Sequence, residues 1–207
     1  LVKWSQNREA VCPLNKSRKE GIFVSHQWNS EELLSRWEKR RALQNLMVRF
    51  FSQDYLMRRE NKMYDNYWSR ADDVCLGVNH GYYQGAAAVQ AYYQGLADRT
   101  ALESKLIQQK YAAQVGNLSA EEAYGMGIMD MKSLVAPVIE IAADGATAKG
   151  IWTIHGMNTK LTAAGQVSYW ERAYVAGDFV WEEGTWKVWH LLYVQDLDAP
   201  SGTNWAD

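Results

Sequence analysis

The second half of the chain contains four β-rich runs separated by short turn signals, and this arrangement constrains the fold more than any other feature. The runs cover residues 134–142, 146–155, 167–180 and 186–195. They are divided by three glycine-containing pairs typical of hairpin turns, Asp144-Gly145, Ala164-Gly165 and Glu183-Gly184. Because connections this short cannot cross over between parallel strands, the pattern predicts a curled antiparallel sheet over residues 126–195.

The first half has helical spacing instead. Asn29 is a predicted N-cap with Glu32 three residues later, and apolar residues then recur at helical intervals as far as Phe51. A shorter helix is predicted over 60–68, a brief strand over 74–78, a loop at 79–81 and a third helix after Gly85. Residues 1–28 show no sustained period, so they are interpreted as an N-terminal arm that precedes one domain over 29–207.

Helices followed by a meander predict an α+β fold in which the N-terminal helices, within residues 30–110, close the concave face of the sheet. A cavity at that closure is the natural place for a ligand. A second capping box, Ser119 with Glu122, predicts a short helical turn between the third helix and the sheet.

Composition argues against several classes of protein. The net charge of -2 leaves no basic surplus for a nucleic-acid partner, and no apolar run approaches the roughly 18 residues that span a bilayer. The two cysteines, Cys12 and Cys75, have no metal-ligand spacing, which fits a reducing cytoplasm. No phosphate-binding loop, nucleophile elbow or zinc motif is present, so we expect neither a cofactor nor a metal.

Aromatic residues are unusually abundant: the chain has 10 Trp, 12 Tyr and 4 Phe. One interpretation is packing in the core and between subunits, and the other is a pocket walled by rings that accepts a flat or polycyclic ligand. The excess of Trp, together with a sheet whose second face no helix remains to cover, predicts a homo-oligomer, with a dimer expected.

Several motifs together resemble the SnoaL-like family of the nuclear transport factor 2 (NTF2) superfamily, over about residues 40–205. The central hairpin of that family is similar to Pro137-Val138-Ile139-Glu140, Asp144-Gly145, Thr147-Ala148-Lys149-Gly150 and Trp152. Its last strands and tail are similar to Tyr174, Asp178-Phe179-Val180, Glu182, Gly184, Trp186-Lys187-Val188-Trp189-His190, Pro200 and Trp205. Its first helix and the loop before its third helix are similar to Leu46-Met47, Arg49-Phe50 and Gly81-Tyr82-Tyr83-Gln84-Gly85.

The resemblance implies a cone-shaped fold around one apolar pocket for a hydrophobic small molecule. The superfamily includes polyketide cyclases, scytalone-type and bile-acid dehydratases, ketosteroid isomerase and non-catalytic binding modules, so the fold does not select the function. The implied function is a cofactor-free lyase or isomerase that acts on a steroid, polyketide or aromatic compound. The alternative is a binding or assembly module without catalysis.

The resemblance places a catalytic His of the dehydratases at the position of Lys132 in this chain. Asp130, Lys132 and Leu134 share one face of their strand by alternation, and the resemblance turns that face toward the pocket. Desolvation lowers the pKa of a lysine and a neighbouring carboxylate raises it, so an acid–base pair and an ion pair at the rim are both open interpretations. Asp178 is expected to point into the same cavity, beside Trp152, or else to make a structural hydrogen bond.

Three further residues are weaker catalytic candidates. His190 is retained by the resemblance, although a lone His in an apolar strand is more often a hydrogen-bonded core residue. Asp54 and Tyr55 are the nearest matches to an Asp and a displaced Tyr on the first helix of bile-acid dehydratase relatives. The aromatic side chains expected in the substrate pocket are Phe50, Phe51, Tyr83, Trp152 and Trp170.

Overall fold

The computed structural model describes residues 28–54, 60–162 and 165–202. Except for Trp28, the predicted N-terminal arm lies outside the described residues, as do Tyr55 and Trp205. The backbone of Asp54 is described but its side chain is not.

The helices follow the sequence signals closely. Helix α1, Ser30–Val48, begins at the predicted capping box, in which Asn29 accepts a hydrogen bond from the Glu32 backbone and the Glu32 carboxylate accepts one in return. It continues as a π-helical turn, Arg49–Asp54. A 3₁₀ turn, Glu60–Lys62, leads into α2, Met63–Tyr67. The remaining helices are α3, Ala86–Lys110; α4, Ala112–Val115; and α5, Ala120–Ala123, which starts at the predicted Ser119–Glu122 box.

Six strands form one sheet in the order β2-β1-β6-β5-β4-β3. They are β1, Cys75–Val78; β2, Gly81–Gln84; β3, Asp130–Ile141; β4, Thr147–Thr162; β5, Gly165–Glu182; and β6, Thr185–Pro200. Strands β3 to β6 pair antiparallel through consecutive hairpins, as predicted. Register shifts interrupt two of these ladders, and bulges of this kind bend a sheet. The architecture is therefore the predicted α+β arrangement with a curved sheet.

The edge formed by β1 and β2 differs from the expectation. The predicted loop at 79–81 is the turn of a hairpin, whereas the loop that the resemblance implies at 81–85 is instead its second strand, and β1 runs parallel to β6. These strands have four residues each, too few to show a clear alternation of apolar and polar side chains. Gly81 and Gly85 are also residues typical of loops. Pairing with β6 supplies the stabilisation that the local sequence does not indicate.

The core lies between the inner face of the sheet and helices α1, α2 and α3. Helical residues such as Met47 and Tyr93 pack with sheet residues such as Ile154, Val175 and Phe179. Some of the abundant aromatic residues lie in this core: Trp68, Trp152 and Trp186 are almost fully buried. No helix in the described ranges is long and apolar enough to cross a bilayer.

Candidate active site

A cavity of about 640 Å³ opens between α3 and the inner face of the sheet. This volume lies within the range of about 300–1,000 Å³ usual for small-molecule sites. Phe50 and Phe51, both predicted for the pocket, form part of its wall together with Tyr92 and Tyr93 from α3. The opposite wall is polar and comes from the sheet, with Asp130, Lys132, Asn158, Glu171 and Tyr193.

Sheet register brings the charged side chains together. Lys132 on β3, Gly156 on β4 and Glu171 on β5 are neighbours across the ladders, and all three face inward. Gly156 keeps this region open, since a Cβ there would meet the Met131 carbonyl at 2.5 Å. The Lys132 ammonium bonds to the Asp130 carboxylate and lies 3.4 Å from Glu171 Oε2. Asp130 and Lys132 thus share the cavity, as predicted.

Glu171 is held by groups from three strands. Its Oε1 accepts a hydrogen bond from the Tyr193 hydroxyl, and its Oε2 accepts one of 3.1 Å from Asn158 Nδ2 and faces Lys132. Its side chain is 2% exposed, whereas the Asp130 side chain is 20% exposed. Asn158 must direct its amino group at a carboxylate, so its buried Oδ1 is left without a partner among the described residues. Of the two carboxylates, Asp130 is the one more accessible to a ligand.

Lys132 is a permanent cation in this setting. Burial lowers its pKa, but the charges of Asp130 and Glu171 and their hydrogen bonds outweigh that effect, so its pKa lies above the ordinary lysine value of 10.5. A protonated ammonium cannot remove a proton from a substrate. Of the two interpretations that the sequence left open, an acid–base pair would therefore need a carboxylate as its base, since Lys132 can supply only a positive charge.

Solved structures resemble the chain over most of its length. The hexachlorocyclohexane dehydrochlorinase LinA-type3 from Novosphingobium barchaimii LL02 shares 16% identity at a TM-score of 0.56, covering 83% of this chain and 97% of that protein. An NTF2-like protein with a cystatin-like fold from Novosphingobium aromaticivorans shares 12% identity at a TM-score of 0.50, covering 86% and 94%. The chain has the NTF2-like fold.

A third solved structure also resembles the chain. The protein Aln2 from a Streptomyces species shares 13% identity at a TM-score of 0.51, covering 82% of this chain and 95% of that protein. No protein-family model and no curated protein matches the chain. The narrower SnoaL-like assignment stays a prediction.

A second polar group lies in the cavity of this NTF2-like domain. Glu60, which is 2% exposed, accepts hydrogen bonds from the Thr100 hydroxyl at 3.2 Å and the Tyr124 hydroxyl at 3.1 Å. Arg99 and Glu103 of α3 also line the cavity. Among the described residues, no three His, Cys, Asp or Glu side chains are grouped as ligands for a metal ion.

Asp178 and His190 do not reach the cavity, which corrects their predicted placement. They are paired across β5 and β6, with His190 Nδ1 3.1 Å from Asp178 Oδ2. Phe179 follows Asp178 and Leu191 follows His190, and both of these neighbours face the core, so by alternation this pair lies on the outer face. Lys149 Nζ approaches Asp178 there at 3.9 Å. The predicted trio is therefore divided: Asp130 and Lys132 lie inside and Asp178 lies outside.

Three of the predicted pocket aromatics also lie elsewhere. Trp152 is buried in the core with its ring edge-to-face against Phe179, 6.0 Å between centroids. Trp170 is on the outer face, where it is 42% exposed, because its neighbour Glu171 occupies the inward position. Tyr83 does not line the cavity but packs its ring on Tyr92.

Sequence reasoning missed Glu171, Asn158, Tyr193 and Glu60. A signal existed for Glu171, since it shares strand parity with the apolar Ala173, Val175 and Phe179. A charge at an inward position of an apolar strand requires partners and marks a candidate site. For Glu60 no local pattern was available, because its donors come from residues 40 and 64 positions further along the chain.

Proposed function

We propose that this protein is a lyase or isomerase that uses its own side chains for acid–base chemistry on a hydrophobic cyclic small molecule. The observation that carries the proposal is the Asp130–Lys132–Glu171 cluster, two carboxylates and an ammonium grouped in a cavity with an aromatic wall. Burying these charges is costly, and perturbed ionisable groups in a cleft are typical of catalytic sites.

Each member of the cluster has a role that its surroundings support. Asp130, the more exposed carboxylate, removes a proton from the substrate carbon. Lys132 stabilises the negative charge that develops on a carbonyl or departing oxygen. Glu171, fixed by Tyr193, Asn158 and Lys132, is a positioning residue that orients the ammonium.

The structural comparisons are compatible with this proposal. One similar structure is named as a dehydrochlorinase of hexachlorocyclohexane, a cyclic apolar compound. At 16% identity the likeness establishes the fold and not the reaction.

A non-catalytic binding module is the second candidate, favoured by the same cluster. Lys132 is flanked by two carboxylates, and an arrangement this well paired also serves to anchor a ligand or to stabilise a wall. A panel of cyclic β-hydroxy ketones separates the two functions, because elimination of water gives an enone that absorbs in the ultraviolet. Turnover that depends on Lys132 supports the lyase, whereas binding measured by calorimetry without turnover supports the module.

We also propose that the protein is a homodimer formed through the outer face of the sheet. Seven large apolar side chains on that face are about two-fifths exposed or more: Met131, Val135, Val138, Ile151, Trp170, Tyr174 and Val194. A contiguous apolar surface of this kind marks an interaction site, and a self-complementary patch gives a two-fold dimer.

A further inference from the structure

Tyr92 presents a hydroxyl to the cavity that no described protein group accepts. The other cavity tyrosines are engaged, because Tyr193 donates to Glu171 and the Tyr93 oxygen accepts from Trp68 Nε1 at 3.3 Å. Within the described part of the chain, the Tyr92 hydroxyl makes no such bond. A phenolic O–H that faces a cavity can donate a hydrogen bond to an oxygen of a bound ligand.

The Tyr92 ring is held in place on two sides. Its centroid lies 4.8 Å from that of Tyr83 and 5.3 Å from that of Tyr93. Burial, the largest influence, raises the pKa of Tyr92, while the nearby positive charges of Arg99 and Lys132 lower it and Asp130 raises it. The phenol is therefore protonated at neutral pH and lies within electrostatic range of the Asp130–Lys132 pair.

We infer that Tyr92 is a further catalytic residue of the proposed lyase, which donates its proton to an oxygen that leaves the substrate. The site is then adapted to eliminate a hydroxyl group, giving β-hydroxy carbonyl compounds as the substrate class. This inference rests on the proposed function, in which Asp130 is the base.

The protons and electrons of this elimination balance with Asp130 as the base and Tyr92 as the acid. Asp130 takes the proton from the carbon next to the carbonyl, and the electron pair of that C–H bond forms the carbon–carbon double bond. The C–O bond breaks with its electrons on oxygen, which takes the Tyr92 proton and leaves as water. Asp130 then returns a proton through solvent to the tyrosinate, whose charge Arg99 and Lys132 stabilise.

A leaving group that needs no proton provides the test. Chloride departs as a stable anion, whereas hydroxide is a poor leaving group without an acid. The substrates 3-hydroxycyclohexanone and 3-chlorocyclohexanone give the same product, 2-cyclohexenone, so one absorbance assay follows both after subtraction of the uncatalysed rate. Tyr92→Phe removes the donor, and Tyr82→Phe, at a 55% exposed tyrosine outside the cavity, is the matched control.

We expect Tyr92→Phe to lower kcat/KM for the hydroxy ketone by about 100-fold or more, the usual contribution of a general acid, and to leave the chloro ketone nearly unaffected. Tyr82→Phe should change neither. The melting temperature of Tyr92→Phe should match that of wild type, since the variant loses no hydrogen bond within the described protein. Equal losses on both substrates, or no loss on either, would overturn the assignment.

The wild-type result separates this inference from the proposed function. Conversion of the chloro ketone alone would support the lyase and overturn the role of Tyr92. Conversion of neither substrate would instead refute the proposed lyase. In that case, calorimetric titration with 3-hydroxycyclohexanone and with cyclohexanone tests whether Tyr92 donates a hydrogen bond to the ligand hydroxyl. Tyr92→Phe should weaken binding of 3-hydroxycyclohexanone by about tenfold and leave binding of cyclohexanone unchanged. Absent binding, or equal affinities for variant and wild type, would overturn it.

Discussion

Each face of the β3–β6 sheet carries side chains that are unusual for their surroundings, and these side chains indicate where function lies. The inner face buries the charges of Asp130, Lys132 and Glu171 beside an apolar core, while the outer face exposes large apolar residues such as Trp170 and Val138. Buried charges and exposed apolar surface both cost stability or solubility. Folding alone therefore does not explain these residues on either face. The buried charges indicate a ligand site on the inner face, and the exposed apolar side chains indicate a protein partner on the outer face.

The largest effect expected is on turnover, from a change on the inner face. Lys132→Met removes the positive charge at similar length, so kcat/KM for a converted β-hydroxy ketone should fall by about 10²–10³-fold, the loss typical for one electrostatic stabiliser of a transition state. The outer-face counterpart is Lys149→Met, which removes a 63% exposed ammonium near Asp178. We expect that variant to keep wild-type turnover.

Lys132→Met should also be less stable, because it leaves Asp130 and Glu171 buried without their cation. Loss of one partner from a buried ionic group costs about 3–5 kcal/mol, to be measured by urea unfolding at neutral pH. Loss of turnover should be compared only under conditions in which circular dichroism shows the variant folded. Full turnover in a folded Lys132→Met would refute the proposed role of the cation.

The next effect concerns assembly and belongs to the outer face. A variant with charges at opposite ends of the apolar surface, Ile151→Lys with Trp170→Glu, should convert the dimer into a monomer of 23.7 kDa, as measured by light scattering at micromolar concentration. Turnover should be retained, because neither side chain reaches the cavity. A wild-type protein that is already monomeric would contradict the dimer and leave the outer surface without its proposed partner.

Sequence patterns predicted the fold better than the site. Capping residues such as Asn29 and Ser119, and glycine-containing turns, act locally, so helix starts and hairpins could be assigned from the sequence. Lys132 was singled out by the resemblance, and alternation then placed Asp130 beside it, since residues two apart on one strand share a face. Glu171 and Tyr193 join that pair only through register across strands, which a bulge can change.

His190 shows how such a bulge misleads an argument from sequence. The register shift between Asp178 and Phe179 leaves Trp189 as an extra residue in the ladder, and His190 then pairs with Asp178 on the outer face. Asp178 lies outside by ordinary alternation on β5, next to the inward Phe179, but parity alone could not relate it to Lys132 on β3 without the registers of β3 with β4 and of β4 with β5. The aromatic residues raised the same difficulty, because Trp152 and Trp170 are an even number of residues apart yet lie on opposite sides of the sheet.

A smaller effect is expected from pH on the inner face. Because the folded-state pKa of Lys132 is raised, its stabilising contribution is fully present below the unfolded value of about 10.5 and is lost as the pH rises through the higher folded value. The free energy of unfolding of wild type should therefore fall at strongly alkaline pH more steeply than that of Lys132→Met. Parallel alkaline profiles for the two proteins would contradict a raised pKa.

The smallest effect is expected at the outer-face pair. Asp178→Asn keeps an acceptor for His190 Nδ1 but removes the negative charge between His190 and Lys149, so the free energy of unfolding should fall by at most about 1 kcal/mol, the usual upper contribution of an ion pair with an exposed partner. Turnover should not change, since the outer face and the cavity are separated by the sheet itself. Asp130→Asn makes the same chemical change on the inner face and should remove the base, with a large loss of kcat/KM. If the two variants lost turnover equally, the division of roles between the faces would be wrong, and Asp178 and His190 would have to be considered part of the active site.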